Sequence, residues 1–295
     1  SESPMPPATR AVIASTARTG LAKSYRGGFN ATHGAALAGH AIKHAVLRAG
    51  VEPAEVEDVI IGCGFPEGAT GFNVARNGAV WAGMPFSTSA TTINRFCSSG
   101  LQAIANAAHA VMVDGVPIAV GGGVESISLV QPVVAKTTEK EASLERSCPE
   151  LWMPMIDTAD NVATRYGIAR AAQDEYAVES QRRTAAAQAA GLFDAEIVPM
   201  ETEMLVKNKE TGEVSRVAYT VVKDECNRPG TTLESIASLS PIRAELDPAA
   251  TITAGNASQL SDGASACVVM SEAEAARRSV QPLGVFKGFA VAGCA

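Results

Sequence analysis

Residues 87–113 read STSATTINRFCSSGLQAIANAAHAVMV, and this stretch sets the architecture. Thr91, Thr92 and Ile93 are β-branched and suit a strand. The tight run Cys97-Ser98-Ser99-Gly100 follows. Leu101, Ile104, Ala105, Ala108, Val111 and Met112 then recur at helical spacing. Cys97 therefore stands where a strand turns into a helix, facing unpaired N–H groups and the positive end of the helix dipole. That setting favours a thiolate nucleophile. The same amides can hold an acyl oxygen as it becomes anionic. The plainer rival is a buried cysteine acting as a small hydrophobe. The small neighbours Ser98, Ser99 and Gly100 leave room for a substrate beside the sulfur.

Outward from this stretch the chain alternates. Ala11–Ala14, Val59–Cys63 and Pro117–Val120 read as strands, the last running into Gly121-Gly122-Gly123. Thr16 to Asn30 reads as a loop. A helix carries Leu37, Ala41, Ala45 and Ala49 on one stripe and stops at Gly50, and Asn73–Trp81 is a second helix. The order β-α-β-α-β-α-β implies an α/β fold, a parallel or mixed sheet covered by helices on both faces. His40 and His44 are four residues apart. They lack the intervening Glu of an H-E-x-x-H site and read as surface or packing histidines.

After Ser128 the pattern changes. Lys136–Glu150 is polar and irregular, Thr158–Tyr166 is a short helix, and Ala171–Ala190 is a long one closed by Gly191. Tyr176, Ala177, Ser180, Thr184 and Ala187 would form its inner stripe, and Glu213–Val222 would be extended. The layered pattern resumes at Thr251. A turn of small residues follows at Ala254–Ser258, then a short helix at Gly263–Ala266, a strand at Cys267–Met270 and another at Pro282–Ala290. The expected divisions are 1–128 for the first part of a half-domain, 129–250 for an insertion, 251–280 for the end of the half-domain, and 281–295 for the start of a second half.

Composition excludes several classes. Of 295 residues, 46% are hydrophobic and 19% charged, which is ordinary for a globular protein. The net charge of −7 argues against nucleic acid as a partner. No apolar run approaches the roughly 18 residues of a membrane span. The opening SESPMPPATR has neither a signal nor a transit pattern and reads as a frayed leader. Six cysteines (Cys63, Cys97, Cys148, Cys226, Cys267 and Cys294) lie scattered without a C-x-x-C pair. A zinc site or disulfide framework is not expected, and a reducing cytoplasm is the default compartment.

Several ordered blocks make the chain resemble the thiolases, the acyl-CoA acetyltransferases of the acetoacetyl-CoA and 3-ketoacyl-CoA thiolase group. They are Asn94-Arg95-Phe96-Cys97-Ser98-Ser99-Gly100-Leu101-Gln102-Ala103, Gly121-Gly122-Gly123-Val124-Glu125-Ser126, Gln173-Asp174-Glu175-Tyr176-Ala177, Glu196-Ile197-Val198-Pro199, Arg228-Pro229-Gly230-Thr231-Thr232-Leu233-Glu234, and Thr253 to Ala264.

The resemblance implies a layered αβαβα fold, here one βαβαβαββ half, an inserted loop domain that covers coenzyme A, and the first strand of a second half. It implies that Cys97 takes an acyl group from acyl-CoA, after which acetyl-CoA attacks the thioester; thiolytic cleavage is the reverse. Coenzyme A is substrate and product, with no further cofactor and no metal. Arg228 matches the arginine beside the adenine and phosphates, Ala254 and Ser258 the residues along the pantetheine arm, and Met155 the methionine of the acyl pocket. Each has a plainer rival: a solvated Arg228, a core Met155, a Ser258 that caps a helix near Asp262. A homodimer or homotetramer is also implied.

The family pattern continues with Asn-Glu-Ala-Phe, Gly-His-Pro and Cys-x-Gly blocks that this sequence does not show. The four histidines are His33, His40, His44 and His109, and Cys294 has no Cys-x-Gly context. His109, twelve residues along the Cys97 helix, lies about 18 Å away. These 295 residues are therefore expected to be inactive alone and to need a missing C-terminal segment or second chain. The rival functions are a non-catalytic acyl-CoA or lipid-carrier module and a ketoacyl-synthase-like condensing enzyme.

Overall fold

The computed structural model describes residues 9–293. Cys294 and all but Thr9 and Arg10 of the expected leader lie outside them. The elements begin β1 (Ala11–Arg18), β2 (Ala22–Lys23), α1 (Gly34–Arg48), β3 (Asp58–Gly62), α2 (Val74–Trp81), β4 (Ser89–Ile93), α3 (Ser99–His109) and β5 (Ile118–Ser126). They continue with α4 (Ile127–Thr137), α5 (Ala142–Ser147), α6 (Met155–Tyr166), α7 (Arg170–Ala189), β6 (Met200–Lys207), β7 (Val214–Val221) and α8 (Leu233–Ala237). Last come β8 (Ser261–Ser271), α9 (Glu272–Arg277) and β9 (Gly284–Val285). Two compact units result: residues 1–136, 196–225 and 261–295, and residues 137–195 and 226–260.

The first unit is the expected mixed α/β layering. Its seven-stranded sheet runs β4-β3-β5-β8-β1-β9, with β2 paired to β8. β3 is parallel to β4 and β5, while β8 is antiparallel to β5 and β1. Alternate residues face opposite layers. Val12, Val59, Ile61, Val120 and Val268 join α1 and α2 in one core cluster. Ala11, Ile60, Ala119 and Val269 join α3 in another. Both faces are covered, so Val-Ile-Ile in β3 is a continuous apolar run. Burying each of Val59 and Ile61 contributes about 1.5–3 kcal/mol.

Small residues bring α3 close to this sheet. A Cβ on Gly121 would lie 2.7 Å from the Cα of Ile104, and one on Gly62 only 2.1 Å from the carbonyl carbon of Ser99. The glycine run thus serves inside β5 and does not end it. The expected stripe on α1 is buried at Leu37, Ala41, Ala45 and Ala49. On α3, Ala105 and Ala108 are buried, but Leu101 is exposed.

Several readings are corrected. The short helix expected at Gly263–Ala266 is strand: Gly263, Ala264 and Ser265 pair with Glu125, Val124 and Gly123 of β5, while Ser265 and Ala266 pair with Arg18 and Ala17 of β1. Ladders on both sides override weak local preference. The strand expected at Pro282–Ala290 is only Gly284–Val285, paired to Ile13 and Val12. β1 runs on to Arg18, into the expected loop.

The compact units also cut the chain at places other than 129 and 250. Residues 196–225 belong to the first unit because Met200 and Val221, at the ends of the β6–β7 hairpin, lie in its core. Arg18 adds ion pairs to Glu196 and Asp224 at 2.8 and 2.7 Å.

The second unit is helical. Asp174 is the buried residue of α7, while Tyr176 and Ser180 of the expected inner stripe are exposed. The inner face is polar. The Nε of Arg170 donates to Asp174 at 2.8 Å, and its Nη2 donates to the carbonyls of Ile236 and Leu239. Residues 251–260 join this unit because Asp160 and Asp174 hold them.

Candidate active site

In the first unit β4 ends at Ile93, and a short 3₁₀ turn, Phe96–Ser98, leads into α3. Cys97 lies in this turn and is exposed, not sealed in the core. The backbone that presents it is constrained. Phe96 has φ +45°, the left-handed region, at a cost of about 1–3 kcal/mol for a residue other than glycine. Both its peptide groups are tied. Its N–H donates to Asn94 Oδ1 at 2.7 Å, and its carbonyl accepts from Ser99 Oγ at 2.6 Å. Ser99 Oγ also accepts from the Arg95 N–H at 2.8 Å. Ser98 makes no side-chain cap on α3. The N–H groups of Ser98 and Ser99 donate to the carbonyls of Arg95 and Phe96. The first-turn amides that follow, which have no carbonyl partner within α3, are the candidate donors to an oxygen beside Cys97.

Two further thiols of this unit, Cys63 and Cys267, are buried. Burial pushes Cys63 up to about 12, with Glu125 adding to the rise, and burial alone pushes Cys267 up to about 12. Neither is a nucleophile at neutral pH. Glu125 lies on β5, within the Gly121 to Ser126 block. Its half-buried carboxylate accepts from the N–H groups of Gly64 and Phe65 at 3.0 and 3.2 Å, and the Cys63 thiol is 3.8 Å away. Burial raises its pKa, against the lowering effect of those donors.

All four histidines are engaged elsewhere. His33 Nδ1 accepts from the Ala35 N–H at the start of α1. His40 is buried, donates to the Val198 carbonyl at 3.3 Å and packs tilted against His44 with ring centroids 4.5 Å apart; it is a packing residue. Burial lowers the pKa of both. His109 packs edge-on against Phe286 at 5.4 Å.

In the second unit, α7 holds two of the candidate binding segments. Asp174 Oδ1 accepts from Asn256 Nδ2 at 2.9 Å, and Asn256 Oδ1 accepts from the Thr253 N–H at 2.8 Å. This fixes the turn that carries Ala254 and Ser258, both exposed. Two helical turns on, Gln181 Oε1 accepts from Asn227 Nδ2 and the Arg228 N–H, both at 2.8 Å. Asp174 and Gln181 are thus about 10 Å apart along the axis. Arg228 is exposed, and no ion pair holds its guanidinium among the described residues. Met155, the first residue of α6, is 71% exposed, so the core reading is overturned. Ser258 Oγ donates to the Gln259 carbonyl and caps nothing near Asp262, which lies in β8. Three carboxylates around a cavity of about 220 Å³ (Asp157, Asp160 and Asp247) do not gather as a metal cluster, and none is found among the described residues.

An exposed cysteine on a strained turn between a mixed sheet and a helix belongs here to a layered α/β protein. The family described as "Thiolase, N-terminal domain" matches residues 11–273. A Bacillus subtilis protein named 3-ketoacyl-CoA thiolase is 38% identical over 283 residues, covering 96% of this chain and 71% of its own length. An Arabidopsis thaliana protein named 3-ketoacyl-CoA thiolase 2, peroxisomal, is 37% identical, covering 96% and 60%. A Cupriavidus necator protein named acetyl-CoA acetyltransferase is 40% identical, covering 97% and 72%. The chain belongs to the thiolase family. It spans 60% to 72% of the length of these three relatives. No helix among the described residues is long and apolar enough to cross a membrane.

Proposed function

We propose that this chain carries the nucleophile of an acyl-CoA C-acetyltransferase. The supporting observation is an exposed Cys97 directly ahead of the first-turn amides of α3. Cys97 Sγ attacks the thioester carbon of acyl-CoA. The new Sγ–C bond forms, the bond from that carbon to the CoA sulfur breaks, and CoA leaves as the thiol with the proton that Cys97 gives up. The amides receive the oxygen as it becomes anionic. Acetyl-CoA then loses a proton from its methyl carbon, and that carbon attacks the acyl carbon. The bond from the acyl carbon to Cys97 Sγ breaks, and Cys97 leaves with a proton restored to it, giving 3-ketoacyl-CoA; thiolysis is the reverse.

Arg228, Ala254, Ser258 and Met155 are the residues proposed to meet CoA: the guanidinium its phosphates and adenine, the small turn its pantetheine arm, and the methionine the acyl chain. The chemistry needs no metal and no cofactor beyond CoA as substrate. The histidine that the resemblance assigns to activating Cys97, and the second cysteine that it assigns to the proton of the attacking acetyl-CoA, have no matching block in these residues. The part proposed for this stretch is therefore to carry the nucleophile and meet CoA, with activation of Cys97 and the condensing step depending on groups supplied by a further segment or chain. The assembly is proposed to be a homodimer or homotetramer in the cytoplasm.

Incubation of the chain, together with the segment or chain that completes it, with acetyl-CoA followed by intact-mass measurement tests this. One acetyl group per chain, absent from Cys97→Ala, is the expected result. No adduct, or an adduct that survives Cys97→Ala, refutes it. Stoichiometric CoA binding without an adduct would indicate a carrier module, and acylation only from acyl-carrier protein would indicate a ketoacyl-synthase-like enzyme.

A further inference from the structure

Glu125 is a half-buried carboxylate close to the cysteine turn that the acyl-transfer reading leaves without a task. It stands at the end of β5 beside parallel β3, and its carboxylate gathers the amides of Gly64 and Phe65 where the chain leaves β3. The carbonyl of Gly64 accepts from Asn94 Nδ2 at 3.1 Å. Asn94 Oδ1 in turn accepts from the N–H of Phe96 at 2.7 Å. Gly64 lies between them: a Cβ on it would be 2.9 Å from Glu125 Oε2 and 3.7 Å from the Phe96 backbone. A continuous chain of hydrogen bonds therefore runs from the β5 carboxylate, through one peptide and one amide side chain, to the left-handed residue before Cys97.

We infer that Glu125 and Asn94 are positioning residues for Cys97. Their relay fixes Phe96 in its left-handed conformation and so aims the sulfur relative to the amides that open α3. Neither residue touches the acyl group. Their role presupposes that Cys97 is the nucleophile proposed above. A relay of this kind is coupled, so cutting it at either end has the same consequence as cutting it at both.

The test uses the full chain and two rates at Cys97. One is acylation by acetyl-CoA, and the other is alkylation by iodoacetamide, which needs no CoA site. Asn94→Ala is expected to slow limiting acylation about 10- to 100-fold, the scale of a roughly 1 Å misplacement. The half-saturating acetyl-CoA concentration stays unchanged. Glu125→Ala is expected to match it, and the double variant to lose no more than either. Glu125→Gln, whose Oε1 can still accept from both amides, recovers most of the loss. Asn94→Asp keeps the bond from Phe96 and loses the donor to Gly64. It is expected to fold and to fall between wild type and Asn94→Ala, which serves if the alanine variants do not fold.

Additive losses in the double variant, or Asn94→Asp indistinguishable from wild type in both rates, overturn the relay. Wild type that is alkylated but never acylated, with alkylation still slowed in the variants, overturns acyl transfer and leaves the relay standing.

Discussion

Gly62→Ala should displace the nucleophile from a distance of one strand. Gly62 ends β3 and is paired in parallel with Ile93 and with Gly123. Its missing side chain is the space that α3 occupies. An added Cβ would stand 2.1 Å from the Ser99 carbonyl carbon, 2.2 Å from its oxygen and 2.4 Å from the Gly100 nitrogen. An ordinary carbon–carbon contact is about 3.5–4.0 Å, so helix and strand must part by more than about 1 Å. All three atoms are backbone, and no rotamer relieves them.

Overpacking by one carbon costs about 1–3 kcal/mol, and a backbone clash belongs at the upper end. At about 2–4 °C per kcal/mol for a domain of this size, the midpoint of thermal unfolding should fall by about 6–12 °C. Acylation of Cys97 should fall on the order of 10²-fold, because its amides move with the start of α3. Gly284→Ala is the control, since nothing lies within 4 Å of a Cβ there. Differential scanning fluorimetry and intact-mass kinetics read the two effects. Gly62→Ala with the melting point and acylation rate of wild type would refute close approach as the device that places Cys97.

Iodoacetamide at neutral pH should label Cys97 in the folded chain and spare Cys63 and Cys267, which are buried and pushed up to about 12; peptide mass mapping reads this, and equal labelling of all three contradicts it. His40 and His44 have pKa values lowered by burial, so the unfolded chain binds more protons than the native one just below pH 6.5. Their contribution is complete above the unfolded value and is lost as pH falls toward the folded values. Thermal midpoints should drop between pH 7.5 and 5.5, with a shallower slope in His40→Gln. Arg228→Ala should raise the half-saturating acyl-CoA concentration about tenfold without moving the melting point, because the guanidinium is exposed and makes no ion pair among the described residues. Asp174→Ala strands Arg170 and frees Asn256, and should cost about 2 kcal/mol along with weaker CoA binding.

The strand–turn–helix around Cys97 was legible in sequence because each part carries its own local signal: β-branched residues, a tight small-residue run, then helical periodicity. The α1 stripe was legible for the same reason. Gly263–Ala266 was not. Small residues have no periodic signature, and their strand character comes from β1 and β5 on either side. The polar inner face of α7 was missed because apolar spacing was the signal sought, whereas Asp174 is held by Arg170 and Asn256, the latter eighty-two residues away in sequence. Glu125 was visible as a letter in a motif; its task depends on amides from another strand, which no local pattern encodes.

The glycines and the polar side chains around the site act as one device. A nucleophile on a loop is only as well aimed as the loop is fixed, and the Cys97 turn has a non-glycine residue in a costly conformation. Such a conformation persists only where its surroundings over-determine it. Here Ser99 and Asn94 tie the two peptide groups of Phe96, and Gly62 and Gly121 let α3 sit directly on the sheet. Removing a tie lets the turn relax in place, whereas filling a glycine lifts the whole helix start. The two kinds of variant should therefore differ in kind. Asn94→Ala should lose acylation with a small fall in melting point, and Gly62→Ala should lose both together. If both variants move rate and stability in the same proportion, the turn is held by packing alone, and the hydrogen-bonded ties have no separate part in aiming the sulfur.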